Sequence, residues 1–168
     1  MLKVLFVCTG NICRSPLAQG IFEKIVRERG LSKLFYCDSA GTQGYHVGAP
    51  ADRRARQTAA RHGVTLTHSA RKLSGDDFGE FDYLVAMDEG HLETMRSLSH
   101  RSTGFDFNDN LLRYRDFDPL GHDSEPDGRS VPDPYYEDMA AFENVYEIVA
   151  RCGKHFLDFL VEKHKLHS

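Results

Sequence analysis

The chain has no tryptophan and only four cysteines in 168 residues, and each scarcity narrows what it can be. Cys8, Cys13, Cys37 and Cys152 are too few and too scattered for the disulfide framework of a secreted domain, and no CxxC spacing points to zinc. A reducing, cytoplasmic location is the expectation. No apolar block approaches the ~18 to 20 consecutive residues of a membrane-spanning helix. The N-terminal apolar run is broken by Gly10, Asn11 and Arg14 before a signal-peptide core could form. Positive charge is scarce as well. A formal net charge of -4 leaves no basic footprint for nucleic acid, so neither nucleic-acid binding nor membrane insertion is expected. Between Asp106 and Asp127, seven acidic residues face only Arg113 and Arg115, a local balance of -5. Asp116, Asp118, Asp123 and Asp127-Gly128 do not have calcium-loop spacing, and the segment reads as solvated acid.

What is present is an alternation of strand-like and helix-like blocks. Leu2 to Val7 reads as a buried strand, followed by a glycine-containing loop and a helix from Pro16, whose Leu17, Ile21, Phe22, Ile25 and Val26 recur at helical spacing until Gly30. A second strand fits Leu34 to Ala40. Gly41 to Pro50 reads as an ordered loop before a helix from about Ala51 to His62. Tyr83 to Met87 suits a third strand, with Asp88 and Glu89 placed to start the next helix, and Asn110 to Arg113 suits a fourth. A long loop of about 116–136 precedes a C-terminal helix of about 139–163, whose Phe142, Val145, Val149, Cys152, Phe156 and Leu160 form one apolar face. The fold class is α/β: one domain over residues 1–168, in three layers, with a four-stranded parallel sheet flanked by helices and ligands at the strand C-terminal ends.

The chemistry is concentrated in Val7-Cys8-Thr9-Gly10-Asn11-Ile12-Cys13-Arg14-Ser15-Pro16, between the first strand and the first helix. A loop at that place turns successive backbone N–H groups toward one point at a helix N-terminus, where an oxyanion is favoured. The same field favours a thiolate on Cys8, a nucleophile. Arg14 supplies a planar fork that matches two phosphoryl oxygens, and the Ser15 hydroxyl can donate to the thiolate. Gly10 and Asn11 tolerate unusual backbone angles. Either residue alone, Cys8 or Arg14, reads as structural; together, at this spacing in this turn, they read as a phosphate-handling loop.

The segment CTGNICRS (8–15) resembles the phosphate-binding loop of the low-molecular-weight protein tyrosine phosphatases. Ser39-Ala40-Gly41, Val47-Gly48, His62-Gly63, Ala70-Arg71, Phe81-Asp82-Tyr83, Met87-Asp88-Glu89 and Asp133-Pro134-Tyr135-Tyr136 follow in that family's order, leaving only the tail beyond about Leu160 outside. The resemblance implies hydrolysis of phosphotyrosine proteins and aryl phosphates without metal or other cofactor, with Cys8 as nucleophile, Arg14 on the phosphoryl group and Asp133 as general acid. It implies that Thr9, Gly10, Asn11, Ile12, Cys13 and Ser15 cradle phosphate or a similar oxyanion. Tyr135 and Tyr136 form an apolar wall for an aromatic substrate that limits solvation of the Asp133 carboxylate, unless they are ordinary core residues. Tyr45 stands where the family often has tryptophan, so that side of the site is expected to be smaller and more polar. Ser39 and His68 match positions that support the loop through Asn11. His46, His91, His100 and His122 lack metal-ligand spacing and are expected at the surface or in satisfied polar roles. Cys13 in the same loop suggests a reversible disulfide with Cys8 under oxidation, or packing alone.

Three rivals handle the same loop differently. An arsenate reductase needs relay cysteines, and Glu80 to Leu98 contains none. A protein-arginine phosphatase would have threonine where Ile12 stands. A phosphocysteine carrier explains Cys8 but requires neither Arg14 nor Asp133.

Overall fold

Val4, Leu5, Phe6, Val7 and Cys8 are all buried, as an inner strand covered on both faces requires. In the computed structural model, which describes residues 1–104, 108–124 and 127–167, this strand is β1 (Leu2–Cys8). It pairs in parallel with β2 (Phe35–Gly41) on one side and β3 (Tyr83–Ala86) on the other, and β4 (Leu111–Arg113) completes the sheet in the order β2-β1-β3-β4. The helices are α1 (Arg14–Glu28), α2 (Arg53–Arg61), α3 (Asp77–Glu80), α4 (Glu89–Thr103) and α5 (Met139–His164). The alternation anticipated from sequence is present, with ends displaced by one or two residues. The single turn α3 is too short to leave a periodic signal.

Alternation along β1 sends its side chains into two cores. Val4, Phe6 and Cys8 face α1 and α5 together with Phe22, Val145, Val149, Cys152, Phe156 and Leu160. Leu5 and Val7 face Phe78, Phe81, Leu92 and Met95 on the side of α3 and α4. The helices that follow β1 and β3 therefore lie on opposite faces. Between them, at the carboxyl ends of these neighbouring strands, a crevice opens.

Among the described residues, three of the four long helices start on an aspartate whose carboxylate accepts a first-turn N–H: Asp52 from Arg54 N, Asp88 from His91 N and Asp138 from Ala141 N. The fourth, α1, has no side-chain cap and no acidic residue in its first turn. Its start is left as an uncompensated positive end, pointing at the crevice. Pro16 is the third residue of α1 rather than its first, a position where the missing N–H costs no helical bond.

The acidic segment corrects one expectation. Asp118 is not solvated: it is 2 % exposed and accepts from Arg115 and Arg151. Asp116 and Asp123 pair with Arg113 and Arg129 at the surface. Asp106 and Glu125 lie outside the described residues. Cys37 and Cys152 sit in β2 and α5 as expected. Among the described residues, no helix is long and apolar enough to cross a membrane.

Candidate active site

Cys8 ends β1, opposite Gly41 of β2, and the chain then turns sharply into α1. The loop is held by backbone from both sides. Thr42 N and Gln43 N donate to the Cys8 and Thr9 carbonyls, and Asp52 N donates to Ile12 O. A Cβ on Gly41 would come within 2.6 Å of the Thr9 carbonyl, so the close approach of β2 to the loop needs glycine there.

Asn11 sits at φ 59°, in the left-handed region where its short polar side chain is tolerated. Its amide organises the loop from beneath. Nδ2 donates to Ser15 Oγ (2.8 Å) and Ser39 Oγ (3.0 Å), while Oδ1 accepts from His68 Nε2 (2.8 Å) and Arg71 N (3.0 Å). Ser15 Oγ, already accepting from Asn11, lies 3.0 Å from Cys8 Sγ and has its own proton free to point at the sulfur. Ser39 Oγ donates to Gln19 Oε1. His68 is backed by Asp38, which also takes Arg71, and Arg71 reaches on to Asp77. Burial holds the His68 imidazole below its ordinary range against the pull of Asp38, while its Nε2 donates to Asn11.

Arg14 is buried, and its guanidinium is fixed by groups far away in sequence. Nη1 donates to Asp88 Oδ2 (3.0 Å) and the Val131 carbonyl (3.1 Å), and Nη2 reaches Thr9 Oγ1 (3.4 Å). Asp133 Oδ2 stands 3.6 Å from Nη2. His91 closes this ring: its Nε2 is 2.8 Å from Thr9 Oγ1, and its Nδ1 is 3.1 Å from Asp88 Oδ1, off the line of a hydrogen bond. Burial, with Arg14 beside it, pushes His91 down to about 4, so near neutrality it is an uncharged acceptor for the Thr9 hydroxyl.

Above the loop is a cleft of about 220 Å³ lined by Cys8, Thr9, Gly10, Ile12, Cys13, Arg14, Tyr45, His46, Asp133, Tyr135 and Tyr136. A larger cleft, of about 300 Å³, lies behind the loop around Gln19 and Glu23 and is lined by none of Cys8, Arg14 and Asp133. The sequence-predicted residues thus converge, with Asn11, Ser15, Ser39 and His68 underneath and the rest around the opening. Tyr135 is half-buried and Tyr136 is 91 % exposed, the two rings meeting edge to face at 4.8 Å. Neither is fully buried. They do not close off Asp133, whose side chain is 51 % exposed, so its carboxylate is more solvated than expected from sequence. Tyr45 is on the rim, 75 % exposed.

Four contributors gave little warning of their role. His46 is part of the mouth, its ring 6.2 Å from that of Tyr135, and His91 is buried against Thr9. Asp88 was readable only as a helix start; its second oxygen holds Arg14. Arg54 binds the backbone that follows Asp133. A capping carboxylate with one oxygen to spare was the only signal available.

The model of a protein family described as low molecular weight phosphotyrosine protein phosphatase matches residues 3–166, including the tail beyond Leu160. The human protein of that description is 38% identical over 156 residues, which are 93% of this chain and 94% of its own. A solved protein tyrosine phosphatase from Entamoeba histolytica, with Hepes in its active site, has a TM-score of 0.86 at 32% identity and covers 99% of this chain and 100% of its own. A drosophila arginine phosphatase has a TM-score of 0.85 at 31% identity and covers 95% of this chain and 98% of its own.

Proposed function

This chain belongs to the low molecular weight phosphotyrosine protein phosphatases, and from that premise we propose that it hydrolyses phosphotyrosine in proteins, and aryl phosphates generally, through a phosphocysteine on Cys8. The observation that carries this reading is the convergence on one cleft of Cys8 Sγ with Ser15 Oγ at 3.0 Å, the fixed Arg14 guanidinium, and the Asp133 carboxylate 3.6 Å from it.

In the first step the Cys8 thiolate attacks phosphorus and forms an S–P bond while the bond from phosphorus to the phenolic oxygen breaks. Asp133, protonated, gives its proton to that oxygen. Arg14 and the amides at the start of α1 hold the non-bridging oxygens where charge is concentrated. In the second step a water attacks phosphorus, Asp133 takes its proton, and the S–P bond breaks. Ser15 stabilises the departing thiolate, and inorganic phosphate leaves. Ile12 and the Tyr135 ring flank the space above Cys8 and suit a planar phenyl group. Because Arg14 and the amides supply the charge stabilisation, the reaction needs no metal in this scheme. Four free cysteines fit a reducing, cytoplasmic compartment, with the nucleophile Cys8 as the oxidant-sensitive group.

The test is phosphate release from phosphotyrosine, phosphoarginine and phosphoserine peptides with and without chelator, plus acid quenching during turnover. Preferred phosphotyrosine turnover that survives chelation, with phosphate trapped on Cys8 and lost in Cys8→Ser, is the expected result. Preference for phosphoarginine would move this chain beside the drosophila neighbour instead, and a trapped phosphohistidine would overturn the mechanism.

A further inference from the structure

Asp133 has little to hold it. Half of its side chain is in solvent, one oxygen accepts from Tyr135 N at 3.1 Å, and the other stands 3.6 Å from the Arg14 guanidinium. Where the carboxyl points is therefore decided by the backbone on either side. Upstream, Arg14 and Arg115 donate to the carbonyls of Val131 and Ser130. Downstream, one side chain does the corresponding work. Arg54 Nη2 donates to the Tyr135 carbonyl at 2.8 Å and Nη1 to the Glu137 carbonyl at 2.9 Å.

Arg54 is itself immobilised. The Asp52 carboxylate accepts from its Nε and Nη2, both at 3.1 Å, and its guanidinium carbon lies 4.6 Å from the centre of the Phe142 ring. Burial works against ionisation of Asp52, but the hydrogen bonds from Arg54 outweigh it and hold the carboxyl below its ordinary range. The other end of the same residue reaches the phosphate loop, since Asp52 N donates to the Ile12 carbonyl at 2.8 Å. The start of α2 thus holds the loop that carries the nucleophile and the segment that carries the carboxyl in one frame. Arg54 does not line the cleft and touches no reacting atom.

We propose that Arg54 is a positioning residue for the general acid: with Asp52 it fixes the segment after Asp133 relative to the phosphate loop, and so sets where the carboxyl meets the leaving oxygen. This rests on the reading of Asp133 as the acid. A lysine could not replace it, because one ammonium cannot satisfy Asp52 and two carbonyls in a plane.

The readout is dependence on the leaving group, since an acid matters for phenyl phosphate and far less for p-nitrophenyl phosphate, whose oxygen departs readily as an anion. kcat/KM, which reports the first step, is measured on both esters for wild type, Arg54→Gln, Arg54→Lys, Asp133→Asn and the Arg54→Gln/Asp133→Asn pair. A displacement of about 1 Å costs about 100-fold, so both Arg54 variants are expected to lose about 10- to 100-fold on phenyl phosphate and less than about threefold on p-nitrophenyl phosphate. Inhibition by inorganic phosphate should stay within about twofold of wild type, since Arg14 and the loop amides carry that affinity. The double variant should be no slower than Asp133→Asn. Equal losses on the two esters, no loss, or a double variant well below Asp133→Asn overturn the proposal while the acid assignment stands. If Asp133→Asn itself slows both esters equally, the acid assignment fails and the proposal with it. Arg54→Lys keeps the test available should Arg54→Gln not fold.

Discussion

His68 Nε2 donates to Asn11 Oδ1 across 2.8 Å, so an imidazole 57 positions away in the chain fixes the residue on which the phosphate loop turns. Because Arg71 N also donates to that oxygen, the amide is oriented with its NH2 toward Ser15 and Ser39.

Asn11→Ala should therefore lose both stability and activity. A non-glycine side chain without its own polar group costs about 1–2 kcal/mol at φ > 0, and the buried partners left unpaired add about 1–3 kcal/mol. Asn11→Gly separates the two effects: it should be about 1 kcal/mol more stable than Asn11→Ala in urea titration, yet equally slow. A glycine variant with normal turnover would mean that the amide serves only the backbone.

Ser15→Ala should slow breakdown of the phosphoenzyme more than its formation, because the hydroxyl stabilises the leaving thiolate. A hydrogen bond to a charged group is worth about 1.5–3 kcal/mol, or about 10- to 100-fold. A larger burst of nitrophenol from p-nitrophenyl phosphate, followed by a slower steady state, is the expected trace. Loss of the burst would place the role of Ser15 in the first step.

Peroxide should inactivate the protein reversibly through a Cys8–Cys13 disulfide, but the structure adds a condition. Cys13 is 5 % exposed, and burial pushes its thiol well above the ordinary cysteine range. Its thiolate, the form that attacks a sulfenic acid, grows as pH rises, so recovery by dithiothreitol after peroxide should be more complete at pH 8.5 than at pH 6. Cys13→Ser should recover poorly at both, and full recovery in that variant would remove the protective role.

His91 makes stability depend on acid. Its folded-state value of about 4 lies below its unfolded reference of 6.5, so between these pH values the unfolded chain binds the proton and the folded chain does not. The contribution is fully present above pH 6.5 and is lost as pH falls toward 4. The linkage amounts to about 3 kcal/mol over the window. Unfolding free energies of wild type and His91→Gln measured at pH 7 and pH 5 should show the steeper fall in wild type. Parallel curves would mean that His91 is solvated in the folded state.

The sequence displays local causes well and distant ones poorly. β1, α1 and α5 follow from uninterrupted or periodic apolar residues, and the loop from 8 to 15 is legible because all its parts are contiguous. Asp133 was reachable through the short Asp-Pro-Tyr-Tyr run. By contrast, Thr9 meets His91 across 82 positions and Arg54 meets Tyr135 across 81. No periodicity or spacing encodes those meetings, because they exist only once α4 and α2 are in place. The reading of Asp118 as solvated failed for a related reason. Its charged neighbours in sequence are mostly acidic, and of the two arginines that neutralise it one, Arg151, comes from α5.

The bond from Arg14 to the Val131 carbonyl spans 117 positions. During synthesis the nucleophile, its loop and α1 leave the ribosome long before residue 131 does, and until then the guanidinium has Thr9 and Asp88 to hold it but neither the Val131 carbonyl nor Asp133 beside it. A nascent or truncated chain carries the thiol without the means to use it. Competence waits for the segment around residues 131–133 to reach Arg14.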